Sequence, residues 1–418
     1  MSAEPAETPR VPPTPRAPEH TEPGRADASR RFSIVCLSPQ NWDVDLPTNR
    51  QQIMLRAKAR GHDVLFVETG PFVGRHLREL AGPRRRSVLR QLLSSELVAP
   101  EIRVAKAPNL APWGHKYGLA SRVNAALTAL AIRRLARRLP QPRVLWLYDP
   151  CLAPAVGRCG EAFAVYDCVD DYAEQAGRDD RKRAFVAAAD RLAAARSRLV
   201  FATATTLFER HRSTNAHTHL VRNVGDYAHF RSAADPAFAA ADVAGLPRPV
   251  VGFAGNFLQE KVDFDLLEAV AEARPGWTIL LVGPSRPETE ERLTELAARR
   301  NVRWVGAKPY VVLPRYVAAF DVAVIPYVTN AYTRSCFPLK TFECLAAGKP
   351  VVASGLPELA GMEPHVVLAE GRDAFVAAVE AALGQLGDAD RETRQAVAAG
   401  STWDTRAERL LGLVADEL

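Results

Sequence analysis

Short apolar runs separated by polar, helix-spaced stretches recur along most of the chain. In the first half they read FSIVCL (32–37), DVLFVE (63–68), VLWLY (144–148), FAVYD (163–167), RLVFAT (198–203) and HLVRN (219–223). Their length and their β-branched and aromatic content predict strands. After the first run a helix is predicted from about Thr48 to Arg60, ended by Gly61, because glycine reaches the left-handed backbone of a helix cap without strain. Strands alternating with helices in this way imply a mostly parallel sheet with right-handed crossovers.

The rhythm lapses at SAADPAFAAADVAGLPRP (232–249), where Ala, Pro and Gly leave little periodicity. It resumes with VVGFAG (250–255), TILLVG (278–283), VRWVG (302–306), DVAVIP (321–326) and VVAS (351–354). The lapse predicts a linker, placed at 236–249. The fold class is then α/β, with two Rossmann-like domains, 32–235 and 250–395, facing an interdomain cleft. Ligands of such sheets sit beyond the carboxyl ends of the strands, which makes the cleft the default site. Late in the second domain, FPLKTFECLAAGKPVVAS (337–354) packs Lys340 and Glu343 into a short helix that Gly348 and Pro350 end before a strand. The plain reading of that pair is an i,i+3 ion pair on a solvated face, worth roughly 0.2–0.5 kcal/mol.

Composition narrows the class. The chain has 418 residues, 47% hydrophobic and 24% charged, which suits a globular protein of two domains. No apolar run reaches the roughly 18 residues of a membrane span. Residues 1–31, rich in proline and without an apolar h-region, are expected to form a disordered tail rather than a signal peptide or an anchor. Cys36, Cys151, Cys159, Cys168, Cys336 and Cys344 form no CxxC pair, so reduced thiols in a cytoplasmic protein are expected, and no metal site. A G-x-G-x-x-G fingerprint follows neither domain's first strand, where SPQNWD and GNFLQEK stand instead; this argues against a dinucleotide-dependent oxidoreductase.

Net charge is +6, yet 75–138 alone holds 14 Lys and Arg against Glu79, Glu96 and Glu101. Such a patch suits nucleic acid, an acidic ligand or an anionic membrane surface. No nucleic-acid module accompanies it, so no nucleic-acid partner is expected. Within it, AIRRLARRL (131–139) groups Ile132, Leu135, Ala136 and Leu139 on one face, flanked by arginines. Two readings stand: a helix lying on an anionic bilayer, which would make the protein peripheral at the inner face of the membrane, or a helix packed on the sheet.

Taken in order, VVGFAGNFLQEKVDFDLL, LLVGP, VRWVGAKPYVVLPRY, FDVAVIPY and PLKTFECLAAGKPVVAS resemble the nucleotide-binding half of GT-B glycosyltransferases, in particular the retaining family 4, or glycosyl transferase group 1, enzymes. The similarity is strongest over 250–357 and extends more weakly to RQQIMLRAKARGHDVLFVE and VRNVGDYAHF (221–230). The resemblance implies an enzyme that moves a sugar from a nucleotide-diphosphate sugar donor to a hydroxyl of a glycan, a lipid-linked saccharide or a natural product. It implies retention, and neither a cofactor nor a metal. STWDTRAERLLGLVADEL, within 396–418, resembles the family's terminal helix, which returns to the N-terminal domain. The alternatives are a non-catalytic nucleotide-sugar-binding subunit and a GT-B nucleotide-sugar epimerase.

The resemblance also implies site residues. Lys261, six residues after Gly255, falls at the place of the phosphate-binding lysine, where a cation stabilises charge developing on the leaving diphosphate. Asn256 stands where the family has an arginine, and Lys340 is the candidate substitute cation. The helix of 337–347, which begins at Phe337, would aim its N-terminus at the diphosphate, and its Glu343 would accept hydrogen bonds from the ribose hydroxyls. Ser335 stands where the family's sugar-contacting glutamate would be. The base is expected at GAKPY, with Tyr310. On the acceptor side, YDCVDDYAE (166–174) puts Asp167, Asp170 and Asp171 at the carboxyl end of a strand. One of them, Asp170 foremost, either orients the acceptor or stabilises the sugar cation, or else caps the next helix. Asn41, Trp42 and Arg50, in the loop after the first strand, are further acceptor-side candidates.

Overall fold

The structure, a computed structural model, describes residues 31–44, 47–72, 95–98, 102–109, 118–176 and 179–418. The Pro-rich stretch 1–30 and much of the basic segment (73–94, 99–101 and 110–117) lie outside the described residues.

The first sheet comprises β1 (Ser33–Ser38), β2 (Asp63–Phe72), β3 (Ser95–Val98), β4 (Ile102–Asn109), β5 (Arg143–Leu147), β6 (Phe163–Cys168), β7 (Leu199–Ala202) and β8 (Thr218–Leu220). Their order is β3-β4-β2-β1-β5-β6-β7-β8, and all pairings are parallel except that of β3 with β4. The second sheet comprises β9 (Val250–Ala254), β10 (Thr278–Val282), β11 (Val302–Trp304), β12 (Val322–Ile325), β13 (Val351–Ser354) and β14 (Val366–Ala369). Its order is β11-β10-β9-β12-β13-β14, parallel throughout. Two Rossmann-like units facing each other are thus the observed architecture. Unbroken apolar runs signal such strands because helices cover both faces of a parallel sheet: all six residues of β1 are buried.

The first sheet lies between two apolar clusters. On one face Ile34, Phe66, Trp146 and Phe201 pack with Trp403, Ala407, Leu410, Leu411 and Val414, all from the chain's last helix, Trp403–Ala415. That helix also brings Arg406 into the first domain, where its Nη2 lies 3.5 Å from Asp167 Oδ1 with both side chains fully buried. Arg406 donates as well to the carbonyls of Val221 and Arg222, and Trp146 Nε1 donates to Asp167 Oδ2 at 3.2 Å. Asp167 therefore does not reach the acceptor side of the cleft as the sequence suggested. The alternation of β6 turns it inward, onto the partner that the terminal helix delivers.

On the opposite face, Ala125, Ala129, Ile132, Ala136 and Leu139 are buried with Leu145 and Tyr166. The first four come from the helix Gly118–Leu135 and the 3-10 turn Ala136–Arg138 that continues it, and Leu139 follows directly. The apolar face of AIRRLARRL is thus occupied by the sheet, and a bilayer contact through that face is ruled out. In the stretch 236–249, Val243 is buried in the second domain's core, with Phe238 and Leu246 packed against it.

Candidate functional site

The cleft edge of the second sheet is shaped by two glycines. After β9, Gly255 N donates to Val282 O at 2.8 Å, and a Cβ on Gly283 would fall 1.8 Å from Gly255 O. The two turns approach so closely that only a residue without a side chain fits at position 283. A Cβ on Gly255 would lie 2.9 Å from Lys340 Nζ, so that ammonium sits directly over the turn. Lys340 donates to Tyr327 Oη at 2.8 Å rather than to Glu343, which disposes of the surface ion pair. Lys261 Nζ lies 5.0 Å from the ring centre of the same Tyr327 and 5.5 Å from that of Tyr332. Two cations therefore flank one tyrosine at the carboxyl ends of β9 and β12. Asn256 is exposed beside them.

The first domain supplies the opposing carboxylate. Burial pushes the Asp170 carboxyl up, against the pull of Lys261 and then Arg50. Burial likewise works against the Lys261 ammonium, but Tyr327, Cys336, Tyr332 and Asp170 together hold its pKa well above the usual lysine value. Asp170 and Lys261, far apart in sequence, thus face each other across the cleft. Gln175 Nε2 donates to Tyr332 Oη at 3.0 Å, and Gln175 also favours the charged Asp170 carboxylate. Tyr327, Tyr332 and Gln175 escaped sequence reasoning: Tyr332 and Gln175 stand outside any motif, and Tyr327, which closes FDVAVIPY, was the one with an available signal.

Glu343 lies just past the first turn of the helix Leu339–Ala346. Burial pushes its carboxyl up to about 7, with Lys340 opposing and Asp226 adding to the rise. Beside it, Tyr310 is raised well above its usual value by burial, then by Glu343 and Asp226. The Tyr310 ring stacks on His229 at 4.6 Å between centres, and His229 Nε2 lies 2.9 Å from Tyr310 O. Gly225 brings this segment against the helix, for a Cβ there would meet Phe342 Cβ at 2.7 Å and Glu343 N at 3.0 Å. Glu343, Tyr310, His229 and Asp226 thus form one pocket wall.

Other candidates serve the frame. The Phe337 ring is buried and stacked on Phe342, so its carbonyl, which accepts from Asn223 Nδ2 at 2.8 Å, is its polar contact. Ser335 is buried and its hydroxyl accepts from Thr206 Oγ1 at 2.8 Å, joining the domains. Asp171 is buried against Arg210 and accepts from Glu174 N at 3.3 Å; it caps its loop. Arg50 is buried, donating to Tyr172 Oη at 2.9 Å and to Gln40 Oε1 at 3.0 Å, and so braces the Asp170 loop from behind. Trp42 packs its ring on Phe66 and donates its amide to Glu68 Oε1 at 2.6 Å. Asn41 is exposed, its carbonyl accepting from Gln51 Nε2 at 2.8 Å.

A second cross-domain contact was invisible in sequence. Glu358, from the turn after β13, is buried and caps the helix Thr205–Arg212 of the first domain. Its Oε1 accepts from Thr205 N at 2.7 Å and its Oε2 from Arg222 Nη1 at 2.7 Å. Behind the cleft, ligand-type atoms of Cys168, Asp190 and His211 lie within 4.8 Å of one another. Asp190 Oδ1 already accepts the Tyr166 hydroxyl at 2.5 Å, so the cluster ties two helices to β6. A surface depression of about 460 Å³ near Arg274 and Arg372 has its charges paired with Glu380 and Glu272.

Residues 248–385 match the family described as Glycosyl transferases group 1. Over 191 residues the chain is 37% identical to a Bacillus subtilis protein named for teichuronic acid biosynthesis as the glycosyltransferase TuaH, covering 44% of this chain and 48% of that one. The chain thus spans about half the length of that relative. Among solved structures, sucrose-phosphate synthase from Thermosynechococcus elongatus superposes with a TM-score of 0.69 at 17% identity, over 92% of this chain and 99% of its own. Anabaena HepE in complex with UDP and glucose superposes with a TM-score of 0.64 at 18% identity, over 92% and 99%. The chain therefore has the GT-B fold, and its second domain, over residues 248–385, is a glycosyl transferase group 1 domain.

Proposed function

We propose that the chain is a glycosyltransferase that moves a sugar from a nucleoside-diphosphate donor to a hydroxyl of a growing or lipid-linked saccharide, with retention. The observation that carries this reading is the pair of ammonium groups, Lys261 and Lys340, at the carboxyl ends of β9 and β12 with Asp170 opposite. In the reaction the bond from the sugar's anomeric carbon to the diphosphate oxygen breaks and a bond to the acceptor oxygen forms. The acceptor proton passes to the departing phosphate. Preorganised cations stabilise the charge that develops on the leaving oxygen; Lys261 and Lys340 supply them, and turnover is expected to persist in EDTA. Asp170 faces the sugar cation, Glu343 takes the ribose hydroxyls, and the wall of Tyr310 and His229 takes the base. UDP is the first candidate nucleotide, since HepE is solved with it. The saccharide acceptor is favoured by the biosynthetic role for which the TuaH relative is named; a soluble natural product is the other acceptor class.

Incubation with UDP-, GDP-, ADP- and TDP-sugars, with and without a lipid-linked saccharide extract, tests the proposal. Acceptor-dependent release of nucleoside diphosphate is expected from one donor. Tight nucleotide binding without release would establish instead the non-catalytic binding subunit, a reading that draws on Asn256 and Ser335 at the family's charged positions. Conversion of the donor sugar without an acceptor would establish an epimerase.

A further inference from the structure

The helix Gly118–Leu135 has a second apolar face, opposite the one buried in the core. Leu119, Val123 and Leu130 are 77%, 43% and 68% exposed, and they make up half of the large apolar side chains so exposed among the described residues. At 100° per residue their spacing puts them on one narrow stripe, with exposed Ala126 between them. Arg122 and Arg133 line one side of the stripe and Arg134 the other, while Arg137 and Arg138 continue it at the C-terminal end, all exposed. Gly118 to Leu139 contains no Asp or Glu, and none of these five arginines pairs with a carboxylate among the described residues.

The helix begins at the cleft edge. Ser121 Oγ donates to the carbonyl of Cys151, just beyond β5, at 2.9 Å. Asn124 Nδ2 donates at 2.9 Å to Oδ1 of Asn109, the last residue of β4. Leu119 and Val123 therefore stand beside the mouth into which an acceptor must pass.

We propose that this outer face docks the first domain on an anionic bilayer, Leu119, Val123 and Leu130 entering the boundary between headgroups and acyl chains while the flanking arginines meet the headgroup phosphates. The arginines decide the occupant. A protein partner would have to match five unpaired cations with its own carboxylates, whereas an anionic membrane presents a uniformly negative plane. Docking in this orientation holds the cleft mouth at the surface that carries a lipid-linked acceptor, so the inference rests on the saccharide-lipid reading of the acceptor.

The test is cosedimentation of the full chain with phosphatidylglycerol-containing and pure phosphatidylcholine vesicles at low and high salt, without substrates. Pelleting with the anionic vesicles at low salt and release at high salt are expected. Arg133→Gln with Arg134→Gln should weaken binding by more than about tenfold, at roughly fivefold per basic residue near the surface. Leu119→Ser with Leu130→Ser should weaken it by a similar factor while leaving the salt dependence in place. Both double variants alter exposed side chains, so an unchanged thermal melt and unchanged transfer to a soluble acceptor analogue serve as the folding controls. Equal recovery of the wild-type chain in every supernatant would overturn the proposal, as would a wild-type dimer that Leu130→Ser dissociates. Because no substrate is present, vesicle binding without turnover would sink only the catalytic reading, and turnover without vesicle binding only this one.

Discussion

Glu343 is placed where function and stability pull against each other. Its folded-state pKa of about 7 lies above that of an unfolded glutamate, so the folded protein holds the extra proton between about pH 4.3 and 7. The folded state is favoured below that window and loses stability as the pH rises through it. Glu343→Gln should abolish this loss and stabilise the protein at pH 8 by about 1–3 kcal/mol, seen as a flattened dependence of melting temperature on pH. The same variant should bind nucleoside diphosphate more weakly by about 1–3 kcal/mol, and wild-type affinity should fall as the pH drops below 7. Calorimetric titration at several pH values checks both; affinity independent of pH in the wild type would remove the ribose role. Lys261→Ala should lower turnover by roughly 10²–10³-fold, the scale on which one stabiliser of developing charge acts, with the melt unchanged.

Among the elements, the terminal helix Trp403–Ala415 bears on stability through both packing and charge. It closes one face of the first sheet and carries Arg406 to Asp167. Removing one member of a fully buried ion pair strands the other charge, so Arg406→Met should cost about 3–5 kcal/mol. Adding Asp167→Asn should restore much of it, because the stranded charge is gone. Urea denaturation of the single and double variants distinguishes this from simple loss of packing, in which case the two costs would add.

At the scale of the whole molecule, Glu358 spans the two domains. It satisfies the first amides of the helix Thr205–Arg212, where the partial positive charge of a helix N-terminus favours an anion. Glu358→Ala should therefore loosen the closed arrangement. The expected signs are a larger radius of gyration by X-ray scattering without substrate and a several-fold rise in KM, with no loss of either sheet by circular dichroism. Unchanged scattering and kinetics would show that Thr206, Ser335 and the tyrosine contacts hold the cleft without it.

The sequence missed β3, β4 and β14 but by itself determined the other eleven strands and their parallel pairing in two sheets, because buried parallel strands require unbroken apolar runs and glycine marks the turns. Gly348 at φ +68 shows how direct that link is. It also singled out Lys261, Lys340 and Glu343 through their places in a known order of motifs, and Asp170 through its place at the carboxyl end of a strand. Which way side chains turn was decided only by the tertiary structure. Asp167 and Asp170 differ by three residues, yet one is sealed against Arg406 and the other faces Lys261. The basic helix carries apolar residues on two sides, and only the sheet beneath it shows that Ile132 is buried while Leu130 is left to solvent. Contacts such as Glu358 with Thr205 join residues separated by 153 positions; no local pattern encodes them, because each depends on two domains already folded and closed.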